Sequence, residues 1–213
     1  MPYERVVGSA ISVVALLVVF GAVTFLLGHV NEQRLNQIAV DAQKLPLTYE
    51  LVGSTRVVPG DLAGYRLDRY SIELGTAPHV FERGCDALRQ WEAHIGAGAR
   101  VAPAEAPLQV GQSVVVALEL VGITAIAPCR IVWVDDEVDR FGFGYGTLSG
   151  HPEQGEESFV IARTAGGVRF EITAFSRPAA LLAKLGQPVA RRIQSRITNR
   201  YLTGLKTAVD RRG

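Results

Sequence analysis

Residues 141–159 read FGFGYGTLSGHPEQGEESF, and this stretch decides how the central sheet and the candidate site are arranged. Phe141, Phe143 and Tyr145 alternate with glycines, so a strand would place the three rings on one face and leave the other face bare. A ligand or another group could then approach the backbone closely on the bare face. A bulge in the strand is the alternative explanation for the glycines.

The turn that follows this strand concentrates ionisable side chains. It contains His151, Glu153, Glu156 and Glu157, and Arg177 precedes the C-terminal helical segment. A histidine beside carboxylates can act as a general base, and an arginine can bind a carboxylate or a phosphate through two hydrogen bonds. We therefore predict the polar mouth of a site here. The alternative is a structural ion pair between Arg177 and one of the glutamates.

The sequence argues against several other kinds of site. Cys85 and Cys129 lie far apart, and the spacing of His151, Glu153 and Glu156 matches no established metal-ligand motif, so we predict no metal. The glycines are not followed by the Lys-Ser or Lys-Thr pair of a phosphate loop, and the chain has no G-x-S-x-G motif. We predict no cofactor and assign no catalytic residue.

Residues 6–30 form the most apolar segment of the chain. They contain no Asp, Glu, Lys or Arg, and as a helix they would span about 37 Å. The run is longer than the apolar core of a signal peptide, so it predicts an uncleaved single-pass anchor in the membrane. Arg5 precedes the segment whereas Arg34 and Lys44 follow it, which slightly favours a cytoplasmic soluble domain.

The rest of the chain changes from helical to strand periodicity and back. Residues 1–30 are the predicted transmembrane anchor, residues 31–46 an amphipathic linker, and residues 47–213 an α+β domain. Strands are predicted at 65–75, 113–121, 125–136, 140–148, 157–165 and 167–176, with helices after Pro78 and from Pro178 to about Asp210.

Strands that follow each other at short intervals indicate an antiparallel sheet, because parallel strands need a connecting helix. A long C-terminal helix across a curved sheet would enclose a cavity, which is the helix-grip arrangement. The predicted fold is therefore α+β, with an antiparallel sheet and a long C-terminal helix in a helix-grip arrangement, preceded by one transmembrane helix.

The chain from about Leu47 to Val209 resembles uncharacterised protein family UPF0548, the DUF1990 domain. The resemblance rests on the strings YELVGST, LRQWEAH, GYGTLSGHPEQGEESF, AFSRPAALLAKLGQPV and RRIQSRITNRYLTGL, which occur in this order. It implies a fold and no reaction. The layout is also similar to that of START and birch-pollen-allergen-like proteins, many of which hold lipids, sterols or polyketides in a cavity.

The C-terminal helix carries arginines opposite its apolar stripe. The formal net charge of the chain is only +1, and no aromatic residues are interleaved with these arginines, so we predict no nucleic-acid partner. The arginines are interpreted as a solvated face, with contact to anionic lipid headgroups as the second interpretation.

The functional prediction is a membrane-anchored protein that binds a hydrophobic small molecule, a lipid or an isoprenoid, in an internal cavity. The alternatives are an enzyme, a hydrolase or cyclase acting on a hydrophobic substrate with His151 or Glu156 as acid or base, and an accessory subunit of a membrane-protein complex. Predicted partners are therefore membrane lipid, the hydrophobic ligand and a membrane-protein complex. The candidate ligand-binding residues are His151, Glu156, Arg177, Tyr145, Phe143 and Trp91; for the aromatic ones, an ordinary core position is the alternative.

Overall fold

The computed structural model describes residues 17–20, 23–57, 62, 64–120, 122–178 and 187–212. Its strands are β1 (Leu17–Phe20), β2 (Val23–Leu27), β3 (Arg66–Gly75), β4 (Ala99–Ala102), β5 (Ser113–Leu120), β6 (Ile123–Asp136), β7 (Arg140–Thr147), β8 (Glu153–Thr164) and β9 (Gly167–Pro178). Its helices are α1 (Glu32–Ala42), α2 (Val80–Arg89), α3 (Glu92–Gly96) and α4 (Gln187–Arg211).

The strands of the described residues form one antiparallel sheet in the order β1-β2-β6-β7-β8-β9-β3, and β5 and β4 extend it beside β6. The 14-residue β6 is the centre of this arrangement. β5 pairs with the first part of β6, and β2 pairs with the same part. A strand has two edges, and β2 and β5 pair with the same residues of β6, so they lie on opposite edges of it. β7 pairs with the later part of β6, on the same edge as β2.

Alternating side chains of the sheet face two separate hydrophobic cores. On β5, Val114 and Val116 contribute to the core shared with α2, α3 and α4, whereas Val115 and Ala117 contribute to the core shared with α1. Helices therefore lie on both faces of the sheet. The larger core, on the face of α4, contains the aromatic side chains Phe141, Phe143, Tyr145, Phe159, Phe170, Trp91 and Tyr201.

The N-terminal apolar segment does not form the predicted helix. Leu17–Phe20 and Val23–Leu27 form an antiparallel pair of strands, and β2 continues the sheet beside β6. The β-branched residues of this segment favour extended backbone, and β6 supplies hydrogen-bond partners along its edge. The predicted transmembrane helix and single-pass membrane localisation are therefore wrong. Residues 1–16, 21 and 22 of the prediction lie outside the described residues.

Within the described ranges, every helix is either too short or too polar to cross a membrane.

The predicted helix-grip fold is wrong as well, because helices cover both faces of the sheet. α1 is amphipathic, and its buried residues Leu35, Ala39 and Ala42 pack in the core on the face opposite α4. β1 and β2 also enlarge the sheet at the place where the prediction has a membrane helix. The START-like layout is thus not supported. The structure is a large antiparallel sheet with α1 on one face and α2, α3 and α4 on the other.

α3 and α4 approach each other so closely that their backbones touch. A Cβ atom on Gly204 would lie 2.8 Å from the Cα atom of Gly96, which is shorter than real side chains allow. The contact fixes α4 against α3. Tyr201 lies about one helical turn before Gly204 and is held in the larger core.

Candidate functional site

The glycine face of β7 is covered by aromatic side chains of the protein itself. A Cβ atom on Gly144 would overlap the indole ring of Trp133, and one on Gly146 would overlap the ring of Tyr49. The three rings on the opposite face of β7 belong to the larger core. The glycines therefore make room for Trp133 and Tyr49, and a ligand does not approach this part of the backbone.

Glu156 is a structural acceptor for the loop that precedes β3. Its carboxylate accepts hydrogen bonds from the Tyr49 hydroxyl at 2.7 Å, the Gly53 amide at 2.7 Å and the Thr55 amide at 2.9 Å. The Thr55 hydroxyl and the Trp133 indole nitrogen also donate to it. The Glu156 carboxylate thus accepts hydrogen bonds from five donor groups, and the residue is only 2% exposed. Its role is to hold this loop against the sheet.

A cavity of about 710 Å³ lies between the sheet and α4. This volume is within the range of natural small-molecule sites. The apolar residues that line it are Phe25, Val116, Leu118, Ile123, Ala125, Ala127, Ala174, Phe175 and Ile197. The polar residues that line it are Tyr145, Thr147, His151, Glu153, Glu156, Glu157, Ser176, Gln194, Thr198 and Tyr201.

Glu157 and Tyr145 form the polar centre of the cavity wall. Glu157 follows Glu156 on β8, so its side chain lies on the opposite face of the strand, toward the cavity. The Tyr145 hydroxyl donates a hydrogen bond to Oε2 of Glu157 at 3.0 Å. Nε2 of His94 lies 3.2 Å from the same hydroxyl. These three groups make a continuous hydrogen-bonded chain from the core to the cavity.

The cavity wall changes the proton affinity of Glu157. Burial raises the pKa of its carboxyl group from 4.5 to about 7; the Tyr145 hydrogen bond lowers this pKa, and the charge of Glu153 raises it. Burial also raises the pKa of Tyr145 and Tyr201, and the nearby charge of Glu157 raises both pKa values further. Glu157 can therefore gain or lose a proton near neutral pH while both phenols stay protonated.

His94 fixes the direction of the hydrogen-bonded chain. The side chain is fully buried, and burial lowers the pKa of its imidazole to about 3, so the ring is neutral. Nδ1 is buried without a hydrogen-bond partner among the described residues. An unpaired buried N–H group is rarer than an unpaired acceptor, so Nδ1 carries no proton. Nε2 of His94 thus donates to Tyr145, and Tyr145 donates to Glu157.

Of the six predicted ligand-binding residues, Tyr145, His151 and Glu156 line the cavity. Nδ1 of His151 accepts a hydrogen bond from the Glu153 amide at 2.9 Å, so this nitrogen is not available as a base. Burial lowers the pKa of the His151 imidazole to about 4. The Glu153 carboxylate accepts a hydrogen bond from the Gln194 amide group at 3.3 Å, which joins the turn to α4.

The other three predicted residues lie away from the cavity. Phe143 and Trp91 are buried in the larger core, with 5.1 Å between their ring centroids. Arg177 is exposed; its Nε donates to the Gln154 side chain at 2.9 Å, and its guanidinium group lies 4.9 Å from the centre of the Tyr65 ring. The partner of Arg177 on β8 is thus an amide and not one of the glutamates.

No group of His, Cys, Asp and Glu side chains among the described residues is arranged to hold a metal ion. The absence of a metal and of a cofactor stays a prediction.

The sequence did not predict the hydrogen-bonded chain that joins Glu157, Tyr145 and His94. Glu157 was grouped with the acidic turn, although it precedes Phe159 and Ile161 by two and four residues. On a strand this spacing places it on the same face as two buried apolar side chains, which is the signal for an inward-facing carboxyl group. The partnership with His94 joins residues 51 positions apart along the chain, and no local pattern predicts it.

The family profile described as a domain of unknown function (DUF1990) matches residues 48–204. A UPF0548 protein of Dictyostelium discoideum is 32% identical over 147 residues, which cover 63% of this chain and 68% of that relative. A UPF0548 protein of Deinococcus radiodurans is 43% identical over 81 residues, which cover 38% of this chain and 41% of that relative. The matched segments thus span 68% and 41% of the length of these two curated relatives.

A crystal structure of a hypothetical protein from Helicobacter pylori superposes with a TM-score of 0.51 and 10% identity, over 76% of this chain and 95% of that one. At this identity the likeness shows the fold alone. The profile match includes the loop bound by Glu156, the strands of the cavity wall from β5 to β9, and α4 as far as Gly204. These comparisons confirm the resemblance found in the sequence, and the chain belongs to the DUF1990 (UPF0548) family.

Proposed function

We propose that the protein binds a hydrophobic small molecule, such as a lipid or an isoprenoid, in the cavity between the sheet and α4. The main support is the cavity of about 710 Å³ with its apolar wall. The cavity is open to solvent on part of its surface, so its apolar wall is in contact with water. A ligand with an apolar body would remove this apolar surface from water, which favours binding.

Binding of a fluorescent apolar probe, N-phenyl-1-naphthylamine, tests this function. Ala127 lines the cavity from β6, and Ala127→Phe would fill part of it. Ala165→Phe is the matched control, because Ala165 is exposed in the turn between β8 and β9. We expect the wild type and Ala165→Phe to bind the probe equally and Ala127→Phe to bind it about tenfold more weakly.

Native mass spectrometry of the purified protein should also show a copurified apolar molecule in the wild type and less of it in Ala127→Phe. A wild type that neither binds the probe nor carries such a molecule would contradict the proposed function. Equal probe binding by the wild type, Ala127→Phe and Ala165→Phe would mean that the probe binds outside the cavity. This result would contradict the proposed function as well.

An enzyme acting on a hydrophobic ester is the second candidate, and the carboxyl group of Glu157 favours it. A group with a pKa of about 7 in an apolar wall is suited to general acid–base chemistry, whereas Nδ1 of His151 is occupied. Release of nitrophenol from a long-chain nitrophenyl ester should then exceed the buffer rate and be lost in Glu157→Gln. A wild type that releases none above the buffer rate would remove this candidate.

A further inference from the structure

The carboxyl group of Glu157 is the most unusual group in the cavity, because the side chains around it supply no countercharge. Cys129 of β6, Tyr145 of β7 and Tyr201 of α4 face it with a thiol and two phenols. Burial raises the pKa of the Cys129 thiol, as it does for the two phenols, so all three groups are neutral near pH 7. On β9, the residue paired with Glu157 is Ala174, which is not ionisable.

The charged groups nearby do not compensate Glu157 either. Glu153 of β8 adds a second negative charge that raises the pKa of Glu157, and Arg66 of β3 acts on Glu153. Arg66 is itself paired with Asp68. The two histidines at the site, His94 of α3 and His151 of the turn between β7 and β8, are neutral because burial lowers the pKa of both. The groups that change the pKa of Glu157 are Tyr145 and Glu153, and neither is a cation.

The hydrogen-bonded chain leaves one oxygen of Glu157 for a ligand. Nε2 of His94 donates to Tyr145, and Tyr145 donates to Oε2 of Glu157. In the neutral form of Glu157 the proton therefore resides on Oε1. An O–H group on this atom is a hydrogen-bond donor in an otherwise apolar wall. The hydroxyl of Tyr201 lies within hydrogen-bonding reach of the Tyr145 hydroxyl, and Tyr201 lines the same cavity.

We propose that the ligand has an apolar body and one neutral hydrogen-bond acceptor, a carbonyl oxygen; this inference rests on the proposed function. The carbonyl oxygen accepts a hydrogen bond from the O–H group at Oε1 of neutral Glu157. A carbonyl oxygen has a second lone pair, which suits the hydroxyl of Tyr201. A fatty-acid carboxylate fits poorly, since its charge would lie against an apolar wall near Glu153, and the described side chains around Glu157 supply no countercharge. Binding of the carbonyl ligand is therefore coupled to the protonation of Glu157.

The expected pH dependence follows from the pKa of Glu157. With a pKa of about 7, the neutral form falls from nearly all of the protein at pH 5.5 to a few per cent at pH 8.5. A ligand that binds only the neutral form should thus bind about 30-fold more weakly at pH 8.5. A ligand with an ammonium head would show the opposite trend, because it would pair with the charged carboxylate.

Displacement of N-phenyl-1-naphthylamine by three competitors of equal chain length tests this inference: 2-dodecanone, dodecanoate and dodecylammonium. The ketone should displace the probe best at pH 5.5 and about 30-fold less well at pH 8.5. Glu157→Gln keeps a neutral donor at all pH values and should bind the ketone without pH dependence. Glu137→Gln, an exposed glutamate between β6 and β7, is the matched control and should behave like the wild type.

The infrared carbonyl band of bound 2-dodecanone gives a second measurement that needs no variant. It should shift to lower frequency at pH 5.5 and return toward the value in hydrocarbon solvent at pH 8.5. Tighter binding of dodecylammonium or dodecanoate than of the ketone at pH 5.5 would overturn the inference, and so would equal pH dependence in Glu157→Gln. In these cases the probe still binds and the proposed function stands, whereas absence of probe binding to the wild type overturns both.

Discussion

Replacing Glu157 with glutamine should remove one component of the pH dependence of folding. Burial in the cavity wall raises the pKa of this carboxyl group from 4.5 to about 7. A carboxyl group with a higher pKa in the folded state binds its proton more tightly there. The protonation of Glu157 therefore stabilises the folded state; this contribution is complete below about pH 4.5 and is lost as the pH rises through about 7. Glutamine has no proton to lose and can still accept the hydrogen bond from Tyr145.

The two pKa values give the size of the effect. Between pH 5.5 and pH 8.5, a group with a pKa of 4.5 when unfolded and about 7 when folded loses about 2 kcal/mol of its contribution to the free energy of unfolding. Part of the Glu157 side chain faces the cavity, where solvent screens the charge. We therefore take about 2 kcal/mol as the upper value.

The measurement compares the free energy of unfolding of the wild type and of Glu157→Gln in urea at pH 5.5, 7.0 and 8.5. The buried side chains of Trp91 and Trp133 provide the fluorescence signal. His94 and His151 have the opposite effect, because their folded pKa values are lowered to about 3 and about 4 and stability rises with pH through 6.5. Both histidines remain in the variant, so the difference between the two proteins isolates Glu157.

We expect the variant to gain stability relative to the wild type by up to about 2 kcal/mol as the pH rises from 5.5 to 8.5. Glu137→Gln should show no such gain, because this glutamate is exposed. A constant difference between Glu157→Gln and the wild type across the series would refute the reasoning. It would mean that Glu157 ionises as freely in the folded protein as in the unfolded chain.

Two further predictions concern close backbone contacts. Gly144→Ala should lower the free energy of unfolding by about 1–3 kcal/mol, since the added methyl group overlaps the indole ring of Trp133. Gly166→Ala is its control, with no atom closer than 3.9 Å to the new Cβ, and equal losses in urea would contradict the prediction. Gly204→Ala should lose a similar amount, because its methyl group would lie 2.8 Å from the Cα of Gly96; an unchanged urea midpoint would show that the helices can separate without cost.

The strands between residues 113 and 176 could be predicted because the local sequence determines them. The alternation of Phe141, Phe143 and Tyr145 with glycines marks both faces of β7, and the structure shows those two faces. The N-terminal segment could not be predicted in the same way. A run rich in valine and leucine suits a membrane helix and a buried strand equally well, and the choice depends on β6, about 100 residues further along the chain.

One turn brings several of the candidate site residues together. The sequence predicted that Tyr145, His151 and Glu156 belong to the same region, and all three line the cavity. It could not assign their partners, since Tyr49 and His94 reach β7 and β8 from distant segments. Tertiary hydrogen bonds, and not the motif itself, determine which carboxylate is structural and which faces the cavity.

Glu156 and Glu157 show how much depends on strand register. Both are carboxylates in the same strand, yet Glu156 receives five hydrogen bonds on one face while Glu157 receives one from Tyr145 and faces an apolar cavity on the other. A shift of one residue in β8 would remove one of them from its environment. In one direction Gly155 would take the position of Glu156, and the loop would lose its acceptor; in the other direction Ser158 would take the position of Glu157, and the cavity would lose its inward-facing carboxyl group. The five hydrogen bonds to Glu156 thus hold the register of β8, and the environment of Glu157 depends on that register. In this way Glu156, which has a structural role, contributes to the chemistry of Glu157.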